Sequence, residues 1–126
     1  MPFFPVHGDI AFGVNGKTVG NTTILTVPVG GFRFVPISMI VVGSLLQLVG
    51  TPPVVSLGTN SATFDNIIPA TLLTISAGTN TFEPIQVPTG AVAVAANDEA
   101  LVFRVSVAAT GTNYIMHVAV LGYELT

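Results

Sequence analysis

Apolar and polar residues alternate along three segments of this chain, 22–29, 99–107 and 113–125. In the second segment, Leu101 and Phe103 would share one face of an extended chain, because the side chains of a strand point to alternate sides. No stretch of a dozen residues shows the three- and four-residue spacing of an amphipathic helix. The pattern therefore predicts half-buried β-strands and no helix.

Further apolar runs predict additional strands. They are 32–42, 45–49, 53–58, 72–76, 81–87 and 91–95. Thirteen glycines and nine prolines interrupt the runs at short intervals, as in an all-β sandwich or barrel. About eight short antiparallel strands favour a jelly-roll β-sandwich, with an immunoglobulin-like sandwich as the alternative. We predict this domain over residues 21–126.

The first twenty residues differ from the rest of the chain. Residues 1–20 mix proline, glycine and aromatic residues without sustained alternation, so we predict an extended N-terminal arm rather than a pair of strands. Phe3, Phe4 and Phe12 would be costly to leave in water. We expect them to dock on the domain itself or on a neighbouring subunit.

An apolar stretch from residue 54 to residue 73 contains a small polar break. The sequence predicts a core strand ending at Gly58, a turn over 59–61, and a return loop anchored by Phe64, Ile67 and Ile68. This stretch is expected to be structural.

The composition is poor in charge. Half of the residues are hydrophobic and 7% are charged, against roughly 25% charged residues in an ordinary soluble domain. So few charges leave large apolar patches on a monomer, and we therefore expect other subunits to cover part of the surface. The net charge is −3, with Lys17, Arg33 and Arg104 as the strong cations, which argues against nucleic-acid binding. There is no cysteine, so disulfides and thiolate metal sites are excluded.

The 31 residues from 34 to 64 carry no charge, and their length alone would allow a membrane span. Pro36, Gly43, Gln47 and the Thr51-Pro52-Pro53 run interrupt the segment, and basic flanking clusters are missing. We therefore predict no membrane association.

Groups that could carry chemistry are scarce. His7 and His117 are the two histidines, and a metal site would require both to converge with Asp9. Asp98 and Glu99 form an adjacent acidic pair, which suits a turn better than a calcium loop. The Gly-Lys-Thr at 16–18 lacks the spacing of a phosphate-binding loop. We predict no enzymatic activity, no metal site and no cofactor.

Several short motifs resemble the small jelly-roll virion proteins of tailed bacteriophages, which include head decoration (cement) proteins and tail-associated proteins. The resemblance spans residues 20–126. It is carried by Thr26-Val27-Pro28 with Phe34, by the strand and loop residues Pro53, Val55, Ser56, Gly58, Thr59, Asn60, Phe64, Asp65, Asn66 and Ile67, and by the ending Val118, Val120, Gly122, Tyr123, Glu124 and Leu125. Pro36 inside a strand departs from the pattern and indicates an edge or a bulge.

The resemblance implies a homotrimer on the exterior of a phage capsid that contacts the major capsid protein and bridges capsomers. The alternative is a receptor-binding module at a tail or fibre tip. Glycan platforms commonly use Trp or Tyr, and the chain has no Trp and only Tyr114 and Tyr123, which favours the cement role. The predicted subunit or capsid interface residues are Phe3, Phe4, Phe12, Met116 and Val118.

Overall fold

A computed structural model describes residues 6–27, 29, 33–47, 50–59, 61–76, 81–88 and 99–125. The described residues form eight strands and no helix. The strands are β1 (Val6–Asn15), β2 (Gly20–Thr26), β3 (Arg33–Gln47), β4 (Val54–Gly58), β5 (Ile68–Leu72), β6 (Phe82–Gln86), β7 (Ala100–Val107) and β8 (Asn113–Leu125).

The strands form two antiparallel four-stranded sheets. Sheet I has the order β1-β8-β3-β6, and sheet II has the order β2-β7-β4-β5. Consecutive strands lie in opposite sheets, except for the β4–β5 hairpin. This order is that of a jelly roll, in which two Greek keys form one sandwich. The prediction of an all-β jelly-roll sandwich is confirmed.

The core lies between the sheets and follows the alternation along the strands. On β8 the inward residues are Tyr114, Met116, Val118 and Val120, each at most 1% exposed. On β7 they are Leu101, Phe103 and Val105, each at most 2% exposed. Burying one such large apolar side chain contributes about 1.5–3 kcal/mol. The core therefore holds the two sheets together without disulfides.

The prediction of an extended arm over residues 1–20 did not anticipate the strand at Val6–Asn15. This segment is β1, an edge strand of sheet I that pairs with β8. Gly8 and Gly13 obscure the alternation of apolar and polar residues in this segment. A register shift between Ala11 and Val14 also interrupts the alternation. Residues 1–5 lie outside the described residues.

Two other strand boundaries differ from the prediction. The described parts of segments 32–42 and 45–49 join into β3, which has a register shift between Gly43 and Leu45. β5 comes before the predicted 72–76, because Ile68 pairs with Leu57. The predicted strand at 91–95 lies outside the described residues. The bulge expected at Pro36 is confirmed by a register shift between Pro36 and Ser38.

Tyr114 and Glu83 link sheet I to the segment that follows β5. The Tyr114 hydroxyl donates a hydrogen bond to the Ile75 carbonyl oxygen at 2.7 Å. Glu83 on β6 accepts hydrogen bonds from the Thr74 amide at 2.6 Å and the Thr74 hydroxyl at 2.9 Å. Burial raises the pKa of Tyr114 far above its ordinary value, and the Glu83 carboxylate raises it further. The folded state therefore favours the neutral phenol.

This preference predicts a loss of stability at alkaline pH. The unfolded chain releases the Tyr114 proton above about pH 10 while the folded chain retains it. The stabilisation is complete below that pH and is lost as pH rises above it. The unfolding free energy of the wild type should therefore fall, relative to that of Tyr114→Phe, by about 1.4 kcal/mol for each pH unit above 10. Urea unfolding of both proteins from pH 8 to 11.5, at one protein concentration, measures this, and parallel curves would contradict it.

Candidate interaction surface

The outer face of sheet I exposes large apolar side chains from all four strands. In an antiparallel ladder, directly paired residues point to the same face, so the partners of the outward β8 residues also point outward. The exposed apolar residues on these strands are Val6 (70%), Ile10 (51%), Phe12 (73%), Ile37 (43%), Val42 (38%), Leu45 (45%), Phe82 (60%), Leu121 (41%) and Tyr123 (41%). We call this surface the apolar face.

The apolar face is almost free of charge. Of the charged residues in the strands of sheet I, Asp9 pairs with Val120, Glu83 with Val41, and Glu124 with Phe34. These three partners are buried, so the three carboxylates share the inward side of the ladder. Arg33 stands at the end of β3, opposite Leu125. It is the one cation among the described residues of sheet I.

The outer face of sheet II is more polar than the apolar face, although Leu72 (51%) and Val107 (56%) are exposed on this sheet. Loop residues 59 and 61–66 partly cover it. Ser56 on β4 donates to the Phe64 carbonyl oxygen at 2.8 Å, and Arg104 on β7 donates to the Ala62 carbonyl oxygen at 3.3 Å. The Asn66 side chain closes the loop through hydrogen bonds to the Thr59 amide at 2.8 Å and hydroxyl at 3.0 Å. The two outer faces of the sandwich therefore differ in chemistry.

The 59–66 loop agrees with the sequence prediction in its main features. β4 ends at Gly58, and Ile67 and Ile68 are buried at 2% and 1% exposure. Phe64 is only half-buried. The two isoleucines anchor the return of the chain, and Ile68 also begins β5.

The predicted interface residues fall into three groups. Phe3 and Phe4 lie outside the described residues. Phe12 lies on the apolar face and is 73% exposed. Met116 and Val118 are fully buried within the single chain, so their prediction as surface contacts is wrong. They occupy the inward side of β8, and the outward side carries Leu121 and Tyr123 instead.

The sequence prediction missed Ile10, Val42, Leu45, Phe82 and Leu121. Val42, Leu45, Phe82 and Leu121 lie on predicted strands, so strand position alone could have suggested them, whereas Ile10 lies on β1, which was not predicted. Both sides of these strands are apolar, however, and the alternation does not indicate which side faces water. Composition gave the one available signal, because a chain with this little charge must expose apolar residues.

A row of side chains crosses sheet I from edge to edge. Phe12 on β1 contacts His117 on β8 edge to face, with ring centroids 5.2 Å apart and an angle of 68°. The Gly13 amide donates to His117 Nδ1 at 3.0 Å. His117 pairs with Val42 on β3, and Val42 pairs with Phe82 on β6. An exposed phenylalanine therefore stands at each edge of the row.

A β-bulge sets the position of Phe12. Ala11 pairs with Val118 and Val14 with Met116, so Phe12 and Gly13 together oppose the single residue His117. Gly13 has a φ of +67°, a conformation that glycine adopts without steric cost. The bulge and the His117 hydrogen bond together direct the Phe12 ring onto the apolar face.

The apolar face also contains a shallow groove of about 210 Å³, lined by Val6, Ile37, Ser38, Leu121, Gly122 and Tyr123. Among the described residues, no group of three acidic or histidine side chains could hold a metal ion. Asp98 lies outside the described residues. None of the described segments is a helix long and apolar enough to cross a membrane. The described surface offers apolar contact area and no group of side chains arranged for catalysis or metal binding.

Two solved phage structures contain chains with this fold. A chain in the acidic stable capsid structure of Helicobacter pylori bacteriophage KHP30 has a TM-score of 0.60 and 16% identity, over 94% of this chain and 86% of that chain. A chain in the capsid asymmetric unit of cyanophage Pam1 has a TM-score of 0.61 and 19% identity, over 100% of this chain and 89% of that chain. No protein-family model and no curated protein matches the sequence. At these identities the similarity establishes a shared jelly-roll fold.

Proposed function

We propose that this chain is a structural protein of a bacteriophage virion, a capsid decoration or cement protein. In this role it binds the outer surface of the phage head as a homotrimer, contacts the major capsid protein and bridges neighbouring capsomers. The observation that carries the proposal is the apolar, nearly uncharged outer face of a jelly-roll sheet. The shared fold with chains of two phage capsid structures supports the same role.

The proposed mechanism is burial of surface rather than catalysis. A large exposed apolar patch is unfavourable in water and is usually covered by a partner in the native assembly. Each contact of a decoration protein adds buried area, and repetition over a lattice turns modest affinities into high avidity. The absence of a reactive constellation on the described surface is compatible with a role that needs no enzyme activity.

The alternative role is host recognition at a tail or fibre tip, and one feature of sheet II favours it. A depression of about 160 Å³ on the polar outer face is lined by Ser56, Thr63, Asp65, Ala70, Arg104 and Ser106. Its polar groups could bind a sugar, but its lining contains no aromatic residue for stacking. The apolar face would have no role in such recognition, which makes the cement role the better account of the surface.

Cryo-electron microscopy of the phage particle tests the proposal. We expect density for this chain on the outside of the head, in the hundreds of copies that a lattice requires. Density confined to the tail, in a few copies, would overturn the cement role and support the receptor-binding role. Quantitative mass spectrometry of purified particles provides an independent copy number.

A further inference from the structure

We propose that three copies of this chain turn their apolar faces toward a common axis, so that Phe12 of one copy contacts Phe82 of the next. This arrangement rests on the homotrimer of the proposed function and specifies which surface forms it. The occupant of the apolar face is then a second and a third copy of the same chain. The polar face of sheet II remains on the outside of the trimer.

The area of the apolar face suits an interface between copies. From their fractional exposures, its nine large apolar side chains present on the order of 800 Å², about what one partner contributes to a standard interface, and the two junctions of each copy would share this area. Identical copies meet without charge repulsion, because the inward side of the ladder holds the carboxylates and Arg33 stands at one end. Identical uncharged faces can therefore pack against one another without electrostatic repulsion.

The row across sheet I places one aromatic ring at each edge. Phe12 is on β1 and Phe82 is on β6, and these are the two edge strands of the sheet. Both rings are more exposed than Leu121 or Val42 near the middle of the face. In a closed ring of three copies, each copy presents two different edges to its two neighbours. The exposed phenylalanines are therefore placed to meet across each junction.

The dimensions of sheet I are compatible with closure around a threefold axis. Four strands spaced about 4.8 Å apart make a sheet about 14 Å wide between its outer strands. With about 5 Å left between the edge strands of neighbouring copies, three such sheets arranged as a triangular prism stand about 7 Å from the common axis. Side chains from all three copies can therefore reach into the centre. Val42 and His117 lie midway along the row and would face the axis.

Cysteine cross-linking tests this arrangement because the natural chain contains no cysteine. The double variant Phe12→Cys/Phe82→Cys cannot close a disulfide within one copy, since the two positions are about 14 Å apart and a disulfide needs Cα atoms within about 7 Å. After mild oxidation, we expect a covalent trimer on a non-reducing gel. A covalent dimer as the final product, or no cross-link, would overturn the arrangement. Disulfide-linked dimers from either single variant would also overturn it.

A matched control pair combines Phe12→Cys with Val107→Cys, since Val107 is 56% exposed at the end of β7 in sheet II. We expect this control to remain uncross-linked, and a covalent trimer from it would show non-specific oxidation and overturn the assignment.

A charge exchange provides a second test that does not depend on oxidation. Phe12→Lys or Phe82→Asp alone should reduce association at least tenfold in sedimentation measurements, because one junction residue becomes charged without a partner. The two substitutions together should recover most of the loss, because opposite charges then meet at every junction. A double variant that associates more weakly than both single variants would contradict the contact. Both experiments use the purified chain, so they test the trimer arrangement separately from capsid binding. Either experiment can fail even if the chain binds phage heads, and either can succeed if it does not.

Discussion

Leu121→Asp is expected to convert the assembled protein into a folded monomer. Leu121 lies on the central strand β8, is 41% exposed and lines the groove of the apolar face. The substitution places one carboxylate from each copy inside the proposed interface. Burying an unpaired charge costs several kcal/mol. We expect association to weaken at least about 100-fold, which corresponds to about 3 kcal/mol.

Sedimentation velocity at micromolar concentration measures this effect, and far-UV circular dichroism verifies that the variant keeps its β-structure. Val107→Asp is the matched control, since Val107 is similarly exposed but lies at the end of β7 in sheet II. We expect the control to assemble like the wild type. If Leu121→Asp assembles as well as Val107→Asp, the apolar face is not the interface.

Gly122→Ala should cause a large loss of fold stability. A Cβ atom at Gly122 would overlap the Val35 carbonyl oxygen and lie 2.8 Å from Phe34 Cζ. The Val35 oxygen is a backbone atom of the neighbouring strand β3, which pairs with β8 along most of its length. The two central strands of sheet I would therefore have to separate locally. Overpacking of this kind costs about 3 kcal/mol, toward the upper end of its usual range. The melting temperature should fall by roughly 10 °C.

Gly20→Ala is a matched control for this substitution. Gly20 is also in a strand, at the start of β2, and a Cβ atom there would meet nothing within 4 Å. Its melting temperature should stay within a few degrees of the wild type, whereas that of Gly122→Ala should not. Equal melting temperatures for the two variants would show that the close approach of β3 and β8 at Gly122 can relax.

Strands could be predicted from the sequence where apolar residues alternate with clearly polar ones. β7 follows the predicted segment closely because Arg104 and Ser106 mark its outer side. β1 was missed because its two glycines and its bulge interrupt the period of two. β5 was misplaced because Leu73 and Ile75 are buried without belonging to a strand. In both cases, pairing with a strand that is distant in the sequence determines where the strand lies. The local sequence pattern does not contain that information.

The candidate surface was harder to predict for a physical reason. On β8 the inward Met116 and Val118 and the outward Leu121 and Tyr123 are all apolar or aromatic, so the sequence does not distinguish the two sides. The lack of charged residues on the outer side is the same property that makes this face suitable for assembly. Low charge predicted that a partner covers part of the chain, and only the strand register shows which apolar side chains are exposed.

The mass of the purified wild-type protein in solution tests the central claim, that other copies cover the apolar face, most directly. The chain has a mass of 13.0 kDa, and multi-angle light scattering at micromolar concentration should give a particle of three times that mass. A stable monomer of 13.0 kDa under these conditions would contradict the claim, because the apolar face would then be exposed to water.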